Sequence, residues 1–160
     1  MDKNTILNQM LYRMEEVFWH ELSDCAPWKT EYVGIDFIQS QDIEGSNENE
    51  VIQSCIDQIK AAGLAQEGDF SITGNDILLR LEFKGCQLML KETLLRKSGI
   101  KPYSCPLANM IRDQLIEKLG YETTYLANMK ADEKTGCCAL NVAIYATREK
   151  IGAVSDWSKE

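Results

Sequence analysis

Four cysteines in the second half of the chain stand where a soft metal ligand or a reactive thiol would be placed. Cys86 follows an expected strand, Cys105 precedes an expected helix, and the doublet Cys137-Cys138 opens the last expected strand. Ligands distant in sequence can meet where strand ends and helix starts converge. A thiolate at Cys105 would feel the positive end of the helix dipole and its free N–H groups, an arrangement that lowers a thiol pKa and improves it as ligand or nucleophile. Cys138 shares strand phase with Leu140, Val142 and Ile144 and is expected to face the core, with Cys137 on the opposite side, so a tetrahedral site using both needs a local bulge. Taken singly, each cysteine also suits a small buried residue.

Other chemistry is sparsely represented. His20 is the one histidine, which excludes a multi-histidine metal site within one chain; beside Trp19 near the end of the first helix it suits a side chain complementing the helix dipole better than a haem ligand or base. Neither G-x-x-x-x-G-K-[ST] nor G-x-G-x-x-G occurs, and C-x-x-C and H-E-x-x-H are absent, so nucleotide-driven chemistry and thioredoxin-like exchange have no motif here. The stripe Met10, Met14, Phe18 has the spacing of a core face or a dimer seam. Acidic pairs such as Glu15-Glu16 and Asp132-Glu133 read as solvated surface.

The elements that would position these residues follow from periodicity and punctuation. Leu7, Met10, Leu11, Met14, Val17, Phe18 and Leu22 recur at three- and four-residue spacing, predicting an amphipathic helix over 5–22 with Asn4 as cap. Cys25-Ala-Pro-Trp28 breaks it, and the alternation of Val33, Ile35 and Phe37 predicts a half-buried strand. After the polar stretch QDIEGSNENE, a helix is expected over 48–62, with Val51, Ile52, Cys55, Ile56 and Ile59 on one face and Gly63 after its end. Strands over 70–73 and 77–83 flank Gly74-Asn75, a hairpin turn pair. Helices are expected over 88–97 and 106–119, the second opened by Pro106 and closed by Gly120, then strands over 121–129 and 138–144 around ADEKTG, with 148–160 as a terminal segment. Strands and helices do not alternate as in a doubly wound fold. The expected class is α+β, one domain over 1–160, an antiparallel sheet with helices packed on one face.

Composition limits the partners. A net charge of −8, from 25 acidic and 17 basic residues, repels a phosphate backbone and argues against nucleic acid. No apolar run reaches the roughly 18 residues needed to span a bilayer, and MDKNTILNQM lacks an export-signal pattern. A cytoplasmic location is expected, where the six cysteines would be mostly reduced and available for metal, redox chemistry or burial.

From Cys105 through Ile144 the chain reads CPLANMIRDQLIEKLGYETTYLANMKADEKTGCCALNVAI: cysteine, helix, glycine, strand, turn with glycine, cysteine, alternating apolar strand. This segment, about a quarter of the chain, resembles the C-terminal part of the 4-vinyl reductase (hydrocarbon-binding) domain, similar in fold to transport protein particle subunits. In aromatic-sensing members a cysteine before the helix and one opening the final strand help hold a structural zinc, so the resemblance implies those roles for Cys105 and Cys138. Two further ligands of that family, a carboxylate and a cysteine, fall where this chain has Leu126, Ala127, Met129 and Lys130. Either no metal binds, or Cys86 and Cys137 replace the missing ligands, with zinc, an iron-sulfur cluster or another metal in the site.

The leading expectation is a sensory or accessory module that binds a small apolar, aromatic or tetrapyrrole-like molecule between sheet and helices, its wall braced by the cysteine site. The alternatives are an enzyme using Cys105 as a redox or nucleophilic thiol, and an assembly subunit. A homodimer is expected, because Met10, Met14, Phe18 and Trp19 spread over a band wider than one packing face requires.

Overall fold

The alternating apolar residues of the four strands assemble one antiparallel sheet in the computed structural model, which describes residues 1–73, 77–121 and 123–145. Strand β1 (Glu67–Thr73) pairs with β2 (Ile77–Lys84), β2 with β4 (Cys137–Tyr145), and β4 with β3 (Thr123–Asp132), giving the order β1-β2-β4-β3. Both expected hairpins thus join a single sheet; β1, β2 and β4 run one to three residues beyond an expected limit, while β3 starts at Thr123 rather than Tyr121 and ends three residues later than expected. The Gly74-Asn75 turn and the 148–160 segment lie outside the described residues. Because side chains alternate across a strand, register places Phe70, Leu81 and Leu140 on one face, and Phe83, Cys138 and Ala131 likewise. A register shift between Leu126 and Asn128 restores that phase in the second half of β3, which turns Met129 and Ala131 inward, both buried.

Among the described residues, helices cover that inner face. α4 (Glu48–Ala61) and α6 (Pro106–Leu119) pack on each other beneath the sheet, α4 toward β1 and α6 toward β3. Val51, Ile52, Cys55, Ile56 and Ile59 of α4 are all fully buried, each large aliphatic among them contributing about 1.5–3 kcal/mol through removal from water. The start of α4 is closed reciprocally: Asn47 Oδ1 accepts the Glu50 N–H at 3.1 Å, and Glu50 Oε2 accepts the Ser46 N–H at 2.8 Å. Gly120, in the left-handed region, ends α6. The architecture is α+β with helices on one side of an antiparallel sheet.

Three local differences from expectation have physical causes. Residues 33–37 are not a strand. After α2 (Ala26–Thr30) the chain turns through Gly34, at φ 98°, into the short helix α3 (Ile35–Gln39), because Asn109 of α6 donates its side-chain amide to the carbonyls of Thr30 and Val33 at 2.8 and 3.2 Å. The residue this buries completely is Ile38, one helical turn from Ile35. A side chain at Gly34 would also meet the end of Met110. The second difference is the cap of α1 (Lys3–Leu22): Asp2, not Asn4, accepts the Thr5 N–H at 2.9 Å.

The third is the orientation of α1. Its fully or nearly buried residues are Asn8 and Glu15, while Ile6, Leu7, Met10 and Val17 are exposed. The helix is attached by polar bonds to α5 (Met89–Lys97) and its flanks. Asn8 accepts the Lys91 backbone N–H at 2.9 Å and donates to the Gln87 carbonyl at 2.8 Å. The buried Lys91 ammonium contacts Glu15 at 2.9 and 3.2 Å, Glu92 at 2.6 Å and the Ser104 carbonyl at 2.9 Å. Tyr103 donates to the Glu15 carbonyl at 2.7 Å, and its ring lies 5.6 Å from that of Trp19. Glu15 is therefore a buried ion-pair partner, contrary to its expected place on a solvated surface. Replacing Lys91 by Met strands two buried carboxyls and is expected to lower stability by about 3–5 kcal/mol in urea unfolding, with Glu15→Gln in the same chain recovering part of the loss.

Candidate thiol and carboxylate site

Three of the four anticipated cysteines come together at one end of the sheet. Cys86 leaves β2 through Gly85, whose φ of 61° turns the chain back, and whose N–H is held by the Gly136 carbonyl at 3.0 Å in the β3–β4 turn. That backbone link brings Cys86 beside the opening of β4. Cys138 lies on the inner face between Phe83 and Ala131, its partners in register on the two neighbouring strands. Cys105 caps α6 in an extended conformation, and its carbonyl accepts the Asn109 N–H at 3.0 Å. All three are buried.

Cys137 is not brought to this group. It points to the outer face, in register with Lys84 and Asp132, and its thiol donates to Glu82 at 3.5 Å. The register shift that could have reoriented the doublet lies on β3 instead, so strand alternation separates the two sulfurs. Cys25 is exposed, and Cys55 sits in the α4 face with its thiol pushed up to about 12 by burial.

The electrostatics of the trio reverse one expectation. Burial pushes the Cys105 thiol up to about 12, assisted by the nearby Cys86, and the Ala108 N–H opposes the shift without overcoming it. The helix start that would lower its pKa in water is overridden because the site is dry. Cys86 and Cys138 titrate as a coupled pair. Interaction with Cys138 holds Cys86 below the ordinary thiol range, while Cys86 and burial drive Cys138 above its own, so the pair loses a first proton far more readily than a second.

A carboxylate adjoins the thiols. Glu92 exerts a like-charge effect on Cys86, Cys105 and Cys138, and its Oε2 is buried without a hydrogen-bond partner while Oε1 holds Lys91. Burial raises the Glu92 carboxyl against the pull of Lys91. Burial also lifts Glu15 to about 7, with Lys91 opposing. Burial works against the Lys91 ammonium too, but Glu92 and Glu15 outweigh it and keep the lysine above its usual range. Lys91 is thus a fixed cation rather than a nucleophile.

Among the described residues, no group of three or more His, Cys, Asp and Glu stands in a metal-ligating arrangement. The three thiols and Glu92 are neighbours rather than a closed coordination shell. As chemistry they are three soft donors and one buried carboxylate oxygen, Glu92 Oε2, that has no hydrogen-bond partner.

Between sheet and helices the layer is filled by side chains, with Leu79, Leu81, Phe83, Leu107, Ile111 and Leu115 all fully buried. A hollow of about 400 Å³ lies instead beside the edge strand β3, floored by Ile100, Pro102, Met129 and Ala131, with Arg96, Lys101 and Lys130 at its rim. Ala131 is the cross-strand partner of Cys138, so this hollow and the thiols share one wall. No helix among the described residues is long and apolar enough to cross a membrane.

Sequence reasoning missed Lys91 and Glu92 and misplaced Glu15. The signal was present in α1, where Asn4, Asn8, Leu11, Glu15 and Leu22 also recur at helical spacing as a second, more polar stripe. No family model, curated protein or solved structure matches the chain.

Two measurements follow from these environments. A thiol reagent applied to the native protein is expected to label Cys25 first and Cys137 next, with Cys105 and Cys138 modified only on unfolding; labelling of Cys105 as fast as Cys25, read by mass spectrometry, would contradict its burial. The second is pH dependence. Glu15 holds its proton up to about 7 in the fold but only to its ordinary 4.5 or so when unfolded. Between those values the folded state binds more protons, so stability falls as pH rises through that window, by up to about 3 kcal/mol, and this contribution is flat above it. In Glu15→Gln the slope between pH 4.5 and 7 should be visibly reduced.

Proposed function

We propose that this chain is a small-molecule-binding module whose pocket wall is braced by a thiophilic metal, with Cys86, Cys105 and Cys138 as ligands and Glu92 as the adjoining oxygen donor. The observation that carries this reading is that three buried thiols from three separate elements perturb one another's ionisation, and that Glu92, which acts on all three, has a buried oxygen with no partner. Binding draws the three sulfurs inward by side-chain rotation and displaces their protons, which the raised thiol pKa values of Cys105 and Cys138 make pH-dependent. The metal is of the zinc type, and its part is structural: it ties the exit of β2, the cap of α6 and the start of β4.

The ligand occupies the hollow beside β3. Its volume of about 400 Å³ falls in the range of small-molecule sites, roughly 300–1,000 Å³. The apolar floor suits an aromatic or aliphatic body. The cations Arg96, Lys101 and Lys130 at the rim suit a carboxylate on it, in a chain that is otherwise acidic. An enzymatic role for Cys105 as a low-pKa nucleophile has less support, because burial raises that thiol.

Metal analysis of protein purified without chelator is expected to find about one equivalent of zinc, and Cys105→Ser and Cys138→Ser should each lose it and lower the melting temperature, since metal affinity is coupled to folding. Cys25→Ser and Cys55→Ser should keep it. Full metal retention in the Cys105→Ser, Cys138→Ser double variant would overturn the proposed ligand set.

A further inference from the structure

Helix α1 presents to solvent a series whose spacing is the same in both directions. Lys3, Leu7, Met10, Met14, Val17 and Glu21 follow one another at steps of 4, 3, 4, 3 and 4 residues, along the side of the helix opposite the buried Asn8 and Glu15. At 3.6 residues per turn these positions form one stripe. Leu7, Met10 and Val17 are 57%, 63% and 46% exposed, so the apolar centre of the stripe is uncovered. Ile6 and Phe18 flank it, and with Met10, Met14 and Val17 they line a shallow groove of about 460 Å³.

The ends carry opposite charges. Lys3 is at one end of the stripe and Glu21 at the other, and among the described residues neither has an ion-pair partner. We infer that α1 is the interface of a twofold homodimer, in which α1 of a second copy lies antiparallel against it about a midpoint at residue 12. That operation sets Lys3 of each copy against Glu21 of the other, Leu7 against Val17, and Met10 against Met14. A parallel pair would set Lys3 against Lys3 and Glu21 against Glu21. The spacing of alternating three and four residues is the one that lets two helices interlock along a seam, and an isologous contact requires such a self-complementary pattern.

The 20-residue helix provides a seam about 30 Å long. An interface confined to one helix face is small compared with roughly 800 Å² per partner in standard complexes, so the association is sought across the micromolar range. The attachment of α1 to its own body by buried polar bonds leaves this face free. The dimer is independent of the thiol site.

Sedimentation equilibrium from low to high micromolar concentration tests the inference. The expected result is a concentration-dependent rise to the dimer mass. Met10→Glu, at a position with no buried role, should remain monomeric throughout with an unchanged circular dichroism spectrum. Lys3→Glu and Glu21→Lys should each raise the dissociation constant roughly tenfold, since each turns two opposite-charge contacts into like-charge ones, and the combination of both should return it to near the unaltered value. A monomer at high micromolar concentration, a dimer that survives Met10→Glu, or a combined charge reversal no tighter than the single ones would each overturn it.

Discussion

One buried ammonium organises this molecule. Lys91 Nζ, with no exposed surface, is held among Glu15, Glu92 and the Ser104 carbonyl. It therefore ties three segments at one point: the first helix, the helix after the β1–β2 hairpin and the linker into α6. Charges are taken out of water at high cost, and only mutual pairing with complete hydrogen bonding offsets it. The consequence is specificity of docking. An apolar helix face could slide or rotate on a core, whereas Asn8 and Glu15 must meet the Lys91 backbone and side chain at fixed points.

The same ammonium shapes the thiols. Ser104, whose carbonyl accepts from Lys91, is the residue before Cys105, and Glu92, whose other oxygen is unpartnered, acts on all three sulfurs. A single polar cluster thus runs from the surface-facing helix to the inner face of the sheet. Beneath it the aliphatic layer of α4 and α6 is conventional, with buried Ile and Leu facing Leu79, Leu81 and Phe83.

Most elements were legible in the residues because local and global preferences agree. α4 carries an apolar period, a side-chain cap and a glycine after its end, α6 opens at Pro106 and closes at Gly120, and β4 alternates cleanly, so the inward turn of Cys138 and the outward turn of Cys137 followed from phase alone. Residues 33–37 failed because alternation over three apolar positions is equally compatible with a helix, and a distant amide, Asn109, decides between them. α1 misled for a deeper reason. That apolar residues prefer the interior is a one-way tendency, and here the polar stripe wins the interior because its partner, Lys91, is supplied from 76 residues further along the chain. The thiol environment was half legible: the convergence of Cys86, Cys105 and Cys138 could be anticipated from element ends, but the dryness that raises Cys105 depends on tertiary burial that spacing does not encode.

The long reach of those contacts also bears on how the chain acquires its shape. Glu15 waits for Lys91 across 76 residues and for Tyr103 across 88. During synthesis at about 5–20 residues per second, α1 emerges several seconds before anything exists for it to dock on. In that interval both its faces are exposed, one apolar and one bearing a carboxyl with no counter-charge, and an isolated helix of this length is marginal in water. Docking of α1 therefore has to wait for residues 91–103, since the groups that fix Glu15 lie that far along the chain.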